Sequence, residues 1–391
     1  MSKYIKSDLF KLAASELNLK KENIKATVDL LDSGNTVPFI ARYRKEQTGE
    51  MAEEALFTVR DRLVELAELD TRRRAILESL EERDLLSQEL KKKIEHARTR
   101  TALEDLYLPY RKKRKTRASV AREQGLEPLA RRILEAEDVR PVEEAASYVD
   151  ADGAAEPVVP DVEAALAGAR DIIAEWINED AELRAELREL FSSRANISAR
   201  RSAKRSTRGG ADEKSAGKSA GKSSTSAPDQ SETYRDYFDW KEPAGKAPSH
   251  RVLAMFRGER EGVLTVHVLP EEKGALSLVE KRYLGGRRNR GGRGESRGPR
   301  HEQVEQLGAA CTDAYRRLLA PSLETEAKTR LKSDADETAA TVFAQNLREL
   351  LLAPPLGERA VLAVDPGLRT GCKVVCLDRR GALLHHEAIY P

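Results

Sequence analysis

Cysteine is scarce in this 391-residue sequence, with only Cys311, Cys372 and Cys376 present. None has the paired spacing or neighbouring histidine of a zinc site, so neither a disulfide framework nor a metal centre is expected, and the chain suits a reducing compartment. Aromatic residues amount to 5%, a poor supply for a compact β protein. Long apolar runs are missing too, since nothing approaches the ~18 residues that span a bilayer. The opening MSKYIKSDLFKLAASELNL lacks the apolar centre of a signal peptide. These absences point to a cytoplasmic protein with no membrane partner. A large excess of one charge is also missing: 68 Lys and Arg stand against 66 Asp and Glu, a formal net charge of +2. Any grip on a polyanion must therefore come from local patches.

What is plentiful is charge of both signs, 34% of residues, beside 40% hydrophobic residues. That mixture suits amphipathic helices with solvated outer faces. From Ile5 to about Phe191 the apolar residues keep helical spacing, as in Leu9 and Leu12, then Ile24, Val28 and Leu31, with Gly34 placed to end a helix and Pro38 able to open the next. Leu56, Val59, Leu63, Leu66, Ile76 and Leu80 continue the stripe. Residues 1–195 thus read as a helical amino-terminal domain whose stripes are core.

Composition then divides the rest. Residues 196–233 contain SARRSAKRSTRGG and SAGKSAGKSSTSAP and read as a basic, low-complexity linker. The phosphate-loop likeness of GKSAGKS fails, because Gly217 to Gly221 is one residue too short and no strand precedes it. Residues 234–286 suggest a short hairpin around Arg257–Gly262 followed by helix. An Arg/Gly-rich segment occupies 287–300, and helices follow over 301–355, interrupted at Pro321 and closed by Pro354 and Pro355. In 356–391 the period changes to that of strands: one ending in Asp365, a second ending in Leu377, a tight turn at Asp378–Gly381, and a third. Three strands leave one face and an edge uncovered, so this segment reads as the start of an α/β domain.

Few residues carry recognisable chemistry. Asp365 ends a buried-type strand and precedes Gly367 and Gly371, where a sheet meets phosphates or metals. Two-metal phosphodiester cleavage needs several converging carboxylates, and the sequence shows none beside it, so an Asp capping its own turn is the competing reading. Tyr107 and Tyr110 precede Arg111, Lys112, Lys113, Arg114, Lys115 and Arg117, six cations within seven residues. Such clustering attracts phosphates, and rings stack on unpaired bases, although a solvated basic turn has the same composition. Ala121 and Gly125 have the spacing of a helix-turn-helix corner or of a plain helical hairpin. Arg42, Arg44 and Lys45 can face either a phosphate or the preceding helix. Arg287, Arg288, Arg290 and Arg293 can bind RNA through charge and guanidinium stacking, or serve as a solubilising linker. No cofactor motif is present.

Several long blocks, in this order, resemble the Tex family of transcription accessory proteins: NTVPFIARYRKEQTGEM, TALEDLYLPYRKKRKTRASVAREQGLEPLA, YRDYFDW, PSHRVLAMFRGEREGVL, AYRRLLAPSLE and VFAQNLRELLLAPPLGERAVLAVDPGLRTGCKV. The resemblance implies a mainly α fold: a helical amino-terminal array with helix-turn-helix character, followed by the first strands of an incomplete ribonuclease-H-like sheet of the YqgF type. Helix-hairpin-helix and S1 modules are expected beyond residue 391. It also sets Asp365 at the first acidic position of resolvase-type sheets, in a family generally regarded as binding rather than cutting. The function expected is non-catalytic binding of RNA or DNA during transcription. The alternatives are a metal-dependent nuclease using Asp365 with further carboxylates, and a scaffold docking on RNA polymerase or the ribosome.

Overall fold

The computed structural model describes residues 7–111, 115–136, 139–149, 158–202, 232–288, 299–354, 356–367 and 371–390. Among the described residues the protein is mainly helical, with two small three-stranded sheets. It divides into two compact units. One comprises Met1–Arg200, Asp239–Lys246 and Val266–Lys328; the other comprises Arg201–Phe238, Ala247–Thr265 and Thr329–Pro391.

The first unit opens with α1 (Ser7–Leu17), α2 (Lys21–Asp32), α3 (Val37–Tyr43) and the long α4 (Glu53–Glu81). Gly34 adopts φ +85°, as a residue ending α2 must. Thr36 then caps α3 by accepting from the Phe39 N–H, with Pro38 in the first turn where its missing N–H is harmless. Leu56, Val59, Leu63 and Leu66 of α4 pack with Leu9, Ile24, Val28 and Ile40. Ile76 and Leu80, further along the same helix, join a second cluster with α5 (Gln88–His96) and α6 (Arg100–Tyr107). Between them the stripe passes through Arg73, whose guanidinium donates to the carbonyls of Ile94 and Ala97 and so satisfies the end of α5.

The third and largest cluster forms around α10 (Val162–Asn178), after the short α7 (Arg117–Glu123), α8 (Glu127–Glu135) and α9 (Pro141–Ala146). Helices α7 and α8 meet at Gly125, φ +75°, at the turn that the Ala121–Gly125 spacing suggests. Ala165, Leu166, Ala169, Ile172, Ile173 and Ile177 are all buried along one broad face of α10, around which this cluster packs. Helix α11 (Ala181–Arg194) follows, and strand β1 (Asn196–Arg201) pairs antiparallel with β2 (Asp239–Pro243) in a sheet of order β2-β1-β3. Composition assigns residues 196–201 to the linker, and the structure corrects this. They form a strand because Ile197 and Ala199 alternate into the core, a period-two signal too short to stand out beside the basic residues. Residues 203–231 of that linker lie outside the described residues, and its last two residues open a 3-10 turn, Glu232–Tyr237.

The hairpin expected around Arg257–Gly262 is also corrected. Ser249–Arg260 forms α12, followed by β3 (Leu264–Leu269). Val252, Met255 and Gly258 recur every three residues on the buried face of α12, and Gly258 admits Leu264 and Tyr234 so closely that a Cβ there would stand 2.7 Å and 3.0 Å from them. Helix α13 (Glu272–Arg288) and α14 (Pro299–Asp313) come next. The latter inserts Gln303, which donates to the carbonyls of Ile133 and Ala136 at the end of α8. The interruption expected at Pro321 does not occur. A π turn over Ala314–Leu319 leads directly into α15 (Ala320–Leu351), with the Ala320 N–H donating to the Tyr315 carbonyl five residues back. This wider turn lies directly before Pro321, whose ring and missing N–H a regular α-helical turn would not accommodate.

In the second unit β4 (Val361–Asp365), β5 (Cys372–Leu377) and β6 (Leu383–Ile389) form an antiparallel meander, as the strand period predicts. Leu362, Val364, Leu383 and Leu384 of this sheet are exposed.

Helix α10 leaves no room against the α7–α8 corner: a Cβ on Gly168 would stand 2.4 Å from Leu126 Cδ1 and 3.2 Å from the Ala121 methyl. Gly168→Val is therefore expected to lower unfolding free energy by about 1–3 kcal/mol through overpacking. Urea denaturation followed by far-UV circular dichroism checks this, and an unchanged midpoint contradicts the packing described.

Candidate nucleic-acid interface

The basic run leaves the core where α6 ends. Its first residue follows a 3-10 turn, Leu108–Tyr110, and its last opens α7. What fixes this exit is a network of buried charge. Asp105, on the inner face of α6, accepts from Arg184 Nε at 2.7 Å and from Arg188 at 2.8 Å, both on α11 one turn apart. Arg184 also donates to Ser322 Oγ at 3.0 Å and Glu326 at 3.2 Å on α15, and Arg188 Nε to Glu326 at 2.7 Å. The Asp105 and Arg184 side chains are only 6% and 5% exposed. Burial alone would lower the Arg188 pKa, but its hydrogen bonds and the charges of Glu326 and Asp105 prevail and hold it above the ordinary value.

Above this network lies a cleft of about 300 Å³ lined by Arg100, Thr101, Glu104, Asp105, Leu108, Arg111, Arg184 and Glu326. Its charges balance in number, but their states differ. Glu104 is held by Arg72 through two hydrogen bonds, 2.6 Å and 3.0 Å, which lower its pKa against the opposing effect of burial. Arg100 and Arg111 are exposed at the rim and make no ion pair among the described residues. The floor is ion-paired, and the two rim guanidiniums also act on Glu104 at longer range.

The sequence-predicted residues fall into three groups. Arg111, Lys115 and Arg117 are exposed, Lys115 lying 3.9 Å from Glu123 and Arg117 unpaired among the described residues. Tyr107 and Tyr110 are half-buried against the cluster around Ile76, Leu80 and Ile94. Tyr107 has Arg72 over its ring at 5.6 Å, and the Tyr110 carbonyl accepts from Arg83 at 2.6 Å. Lys112, Lys113, Arg114, Arg290 and Arg293 lie outside the described residues; Arg287 and Arg288 end α13, and nothing of their side chains is described. Sequence reasoning missed Asp105, Arg184, Arg188 and Glu326. Their separations, 79 residues for Asp105–Arg184 and 142 for Arg184–Glu326, left no local pattern to read.

Asp365 stands apart from these. Its carboxylate is largely exposed, with Lys373 3.9 Å away across the β4–β5 pair. The turn after Asp365, where the sequence suggests a capping role for it, runs into residues 368–370, which lie outside the described residues; the next turn is capped by Asp378, whose Oδ1 accepts from the N–H groups of Arg380 and Ala382, each at 2.8 Å. Among the described residues no group of three or more potential metal ligands converges. Cys311 sits in the core cluster, its thiol pushed up to about 12 by burial, and is poorly suited to nucleophilic or metal chemistry. No described helix is long and apolar enough to cross a membrane.

Breaking the network from one side leaves Asp105 short of its buried donor. Arg184→Met is expected to reduce stability by about 3–5 kcal/mol. Urea denaturation measures the loss, and a shift below about 1 kcal/mol, typical of an exposed pair, contradicts the burial described.

Family models match the chain in consecutive order: Tex-like protein N-terminal domain over residues 7–81, Tex central region-like over 136–343, and Tex protein YqgF-like domain over 359–391. The chain is 39% identical to protein tex of Bordetella pertussis, across 97% of this chain and 45% of that protein. It is also 39% identical to transcriptional accessory protein Tex of Neisseria gonorrhoeae, across 98% and 46%. Similarity extends to S1 RNA-binding domain-containing protein 1 of Homo sapiens, 27% identical across 98% of this chain and 36% of that protein. The chain thus spans about half the length of the bacterial relatives it matches. With the central-region match alone covering more than half of its residues, the chain belongs to the Tex family.

Proposed function

We propose that this chain is a nucleic-acid-binding accessory factor in transcription, with RNA as its main target, and that it binds without cutting. The observation that carries this reading is the cationic exit from α6. Arg111 and Arg117 stand exposed and unpaired among the described residues, at the two ends of a run whose first residue lines a cleft anchored by buried ion pairs. A phosphate backbone approaching Arg111 also meets Arg100 on the same lip. The names borne by relatives, transcriptional accessory protein and S1 RNA-binding domain-containing protein, support the same reading.

Binding of this kind is dominated by counterion release, so its signature is the salt dependence. Replacing Arg111, Lys115 and Arg117 together with glutamine is expected to weaken binding of a single-stranded RNA and to reduce the slope of log K against log salt by about 0.7 per lost contact. Fluorescence anisotropy across a salt series measures it, and an unaltered slope removes this cluster from the interface. The non-catalytic half of the proposal is tested separately. Branched DNA incubated with the chain and Mn²⁺ is expected to remain intact, and cleavage abolished by Asp365→Asn would establish the nuclease reading instead.

A further inference from the structure

Helix α3 has two faces of opposite character. Val37 and Ile40 are buried and hold the helix to the first core cluster. On the other side Phe39 and Tyr43, one turn apart, are 39% and 61% exposed, and neither belongs to that cluster or to the apolar side chains packed against it. Their ring centroids lie 5.1 Å apart with the planes inclined at 46°. Arg42 shares the helix with them, and Arg44 and Lys45 follow directly; all three are exposed and make no ion pair among the described residues. The nearest carboxylates in sequence, Glu46 and Glu50, are exposed as well and neutralise none of them through an ion pair.

Arginines elsewhere in this unit commonly find carboxylates: Arg62 bonds Glu16 and Glu65, Arg72 bonds Glu104, and Arg122 bonds Glu175. Three neighbouring cations left without partners beside two rings in water combine the two elements that single-stranded nucleic acid requires, π faces for bases and charge for phosphates. The Thr36 cap, Pro38 and the buried Val37 and Ile40 hold the rings in place before any ligand arrives.

We propose that Phe39 and Tyr43, flanked by Arg42, Arg44 and Lys45, form a stacking platform for single-stranded nucleic acid. The inference rests on the nucleic-acid-binding reading above and adds a second contact surface of different chemistry. The Arg111–Arg117 run attracts phosphates of any strand, whereas the α3 platform needs base faces that a duplex hides.

The test compares the full chain with Phe39→Ala/Tyr43→Ala, with Arg42→Gln/Arg44→Gln/Lys45→Gln, and with the Arg111/Lys115/Arg117 glutamine variant. Each is titrated by anisotropy into a labelled single-stranded RNA and a duplex of equal length. The ring variant is expected to bind the single strand about tenfold or more weakly, with duplex binding and the salt slope unchanged. The α3 charge variant is expected to reduce the slope by about 2. Wild-type levels of single-strand binding by the ring variant overturn the platform while leaving the parent reading intact, and the face then suits a protein partner instead. Absence of binding by the wild type overturns both. Thermal melts monitor folding. Should the ring variant melt early, photocrosslinking of a 4-thiouridine oligonucleotide to the wild-type chain decides: adducts within Phe39–Lys45 support the platform, and adducts only elsewhere overturn it.

Discussion

An ionised carboxylate cannot remain inside a helical core without strong donors, and the middle of the first unit is arranged to supply them to Asp105. Arg184 and Arg188 approach from α11, while Ser322 and Glu326 close the network from α15. Buried ion pairs add little net stability over apolar packing, because desolvation offsets Coulomb attraction, but breaking one is strongly destabilising. A slip of one turn between α6 and α11 would separate Asp105 from both guanidiniums at once. The network therefore fixes where α6 ends, and with it the Leu108–Tyr110 turn and the point at which Arg111 meets solvent.

Helices announced themselves in the sequence because their burial repeats many times. Leu56, Val59, Leu63, Leu66, Ile76 and Leu80 span several turns of one helix, and all are buried. Short elements lack that redundancy. Asn196–Arg201 offers only Ile197 and Ala199 as buried alternates, and Ser249–Arg260 presents β-branched and apolar residues that suit either a strand or a helix until Gly258 meets Tyr234 and Leu264. Pro321 shows another limit. Proline forbids an α-helical hydrogen bond, but helix continues past Pro321 after a wider preceding turn, which no rule about single residues anticipates.

Candidate binding residues were legible as charge but not as exposure. Tyr107 and Tyr110 precede a basic run and suit base stacking by composition, yet both rings pack against the cluster around Ile94, and Arg72 covers Tyr107. Phe39 and Tyr43 sit beside Arg42, Arg44 and Lys45 and turn outward. The difference arises from which face of each helix the core claims. α3 presents Val37 and Ile40 inward, whereas the rings of the α6 exit are drawn over Ile76 and Leu80 by α4 and α5. That is a property of neighbouring helices rather than of the motif.

Net charge is a poor guide to how such a chain meets a polyanion. With 68 cations against 66 anions the long-range field nearly vanishes. At cellular ionic strength screening acts over about 8 Å, so each close pair such as Arg62–Glu16 or Arg122–Glu175 is nearly silent beyond its immediate surroundings. Among the cations that make no ion pair within the described residues are Arg42, Arg44 and Lys45 beside α3, and Arg100, Arg111 and Arg117 about the α6 exit. Pairing in the core and on the helix faces thus acts as a selection. It removes much of the charge from view beyond the Debye length and leaves the cations without a close partner to meet a phosphate.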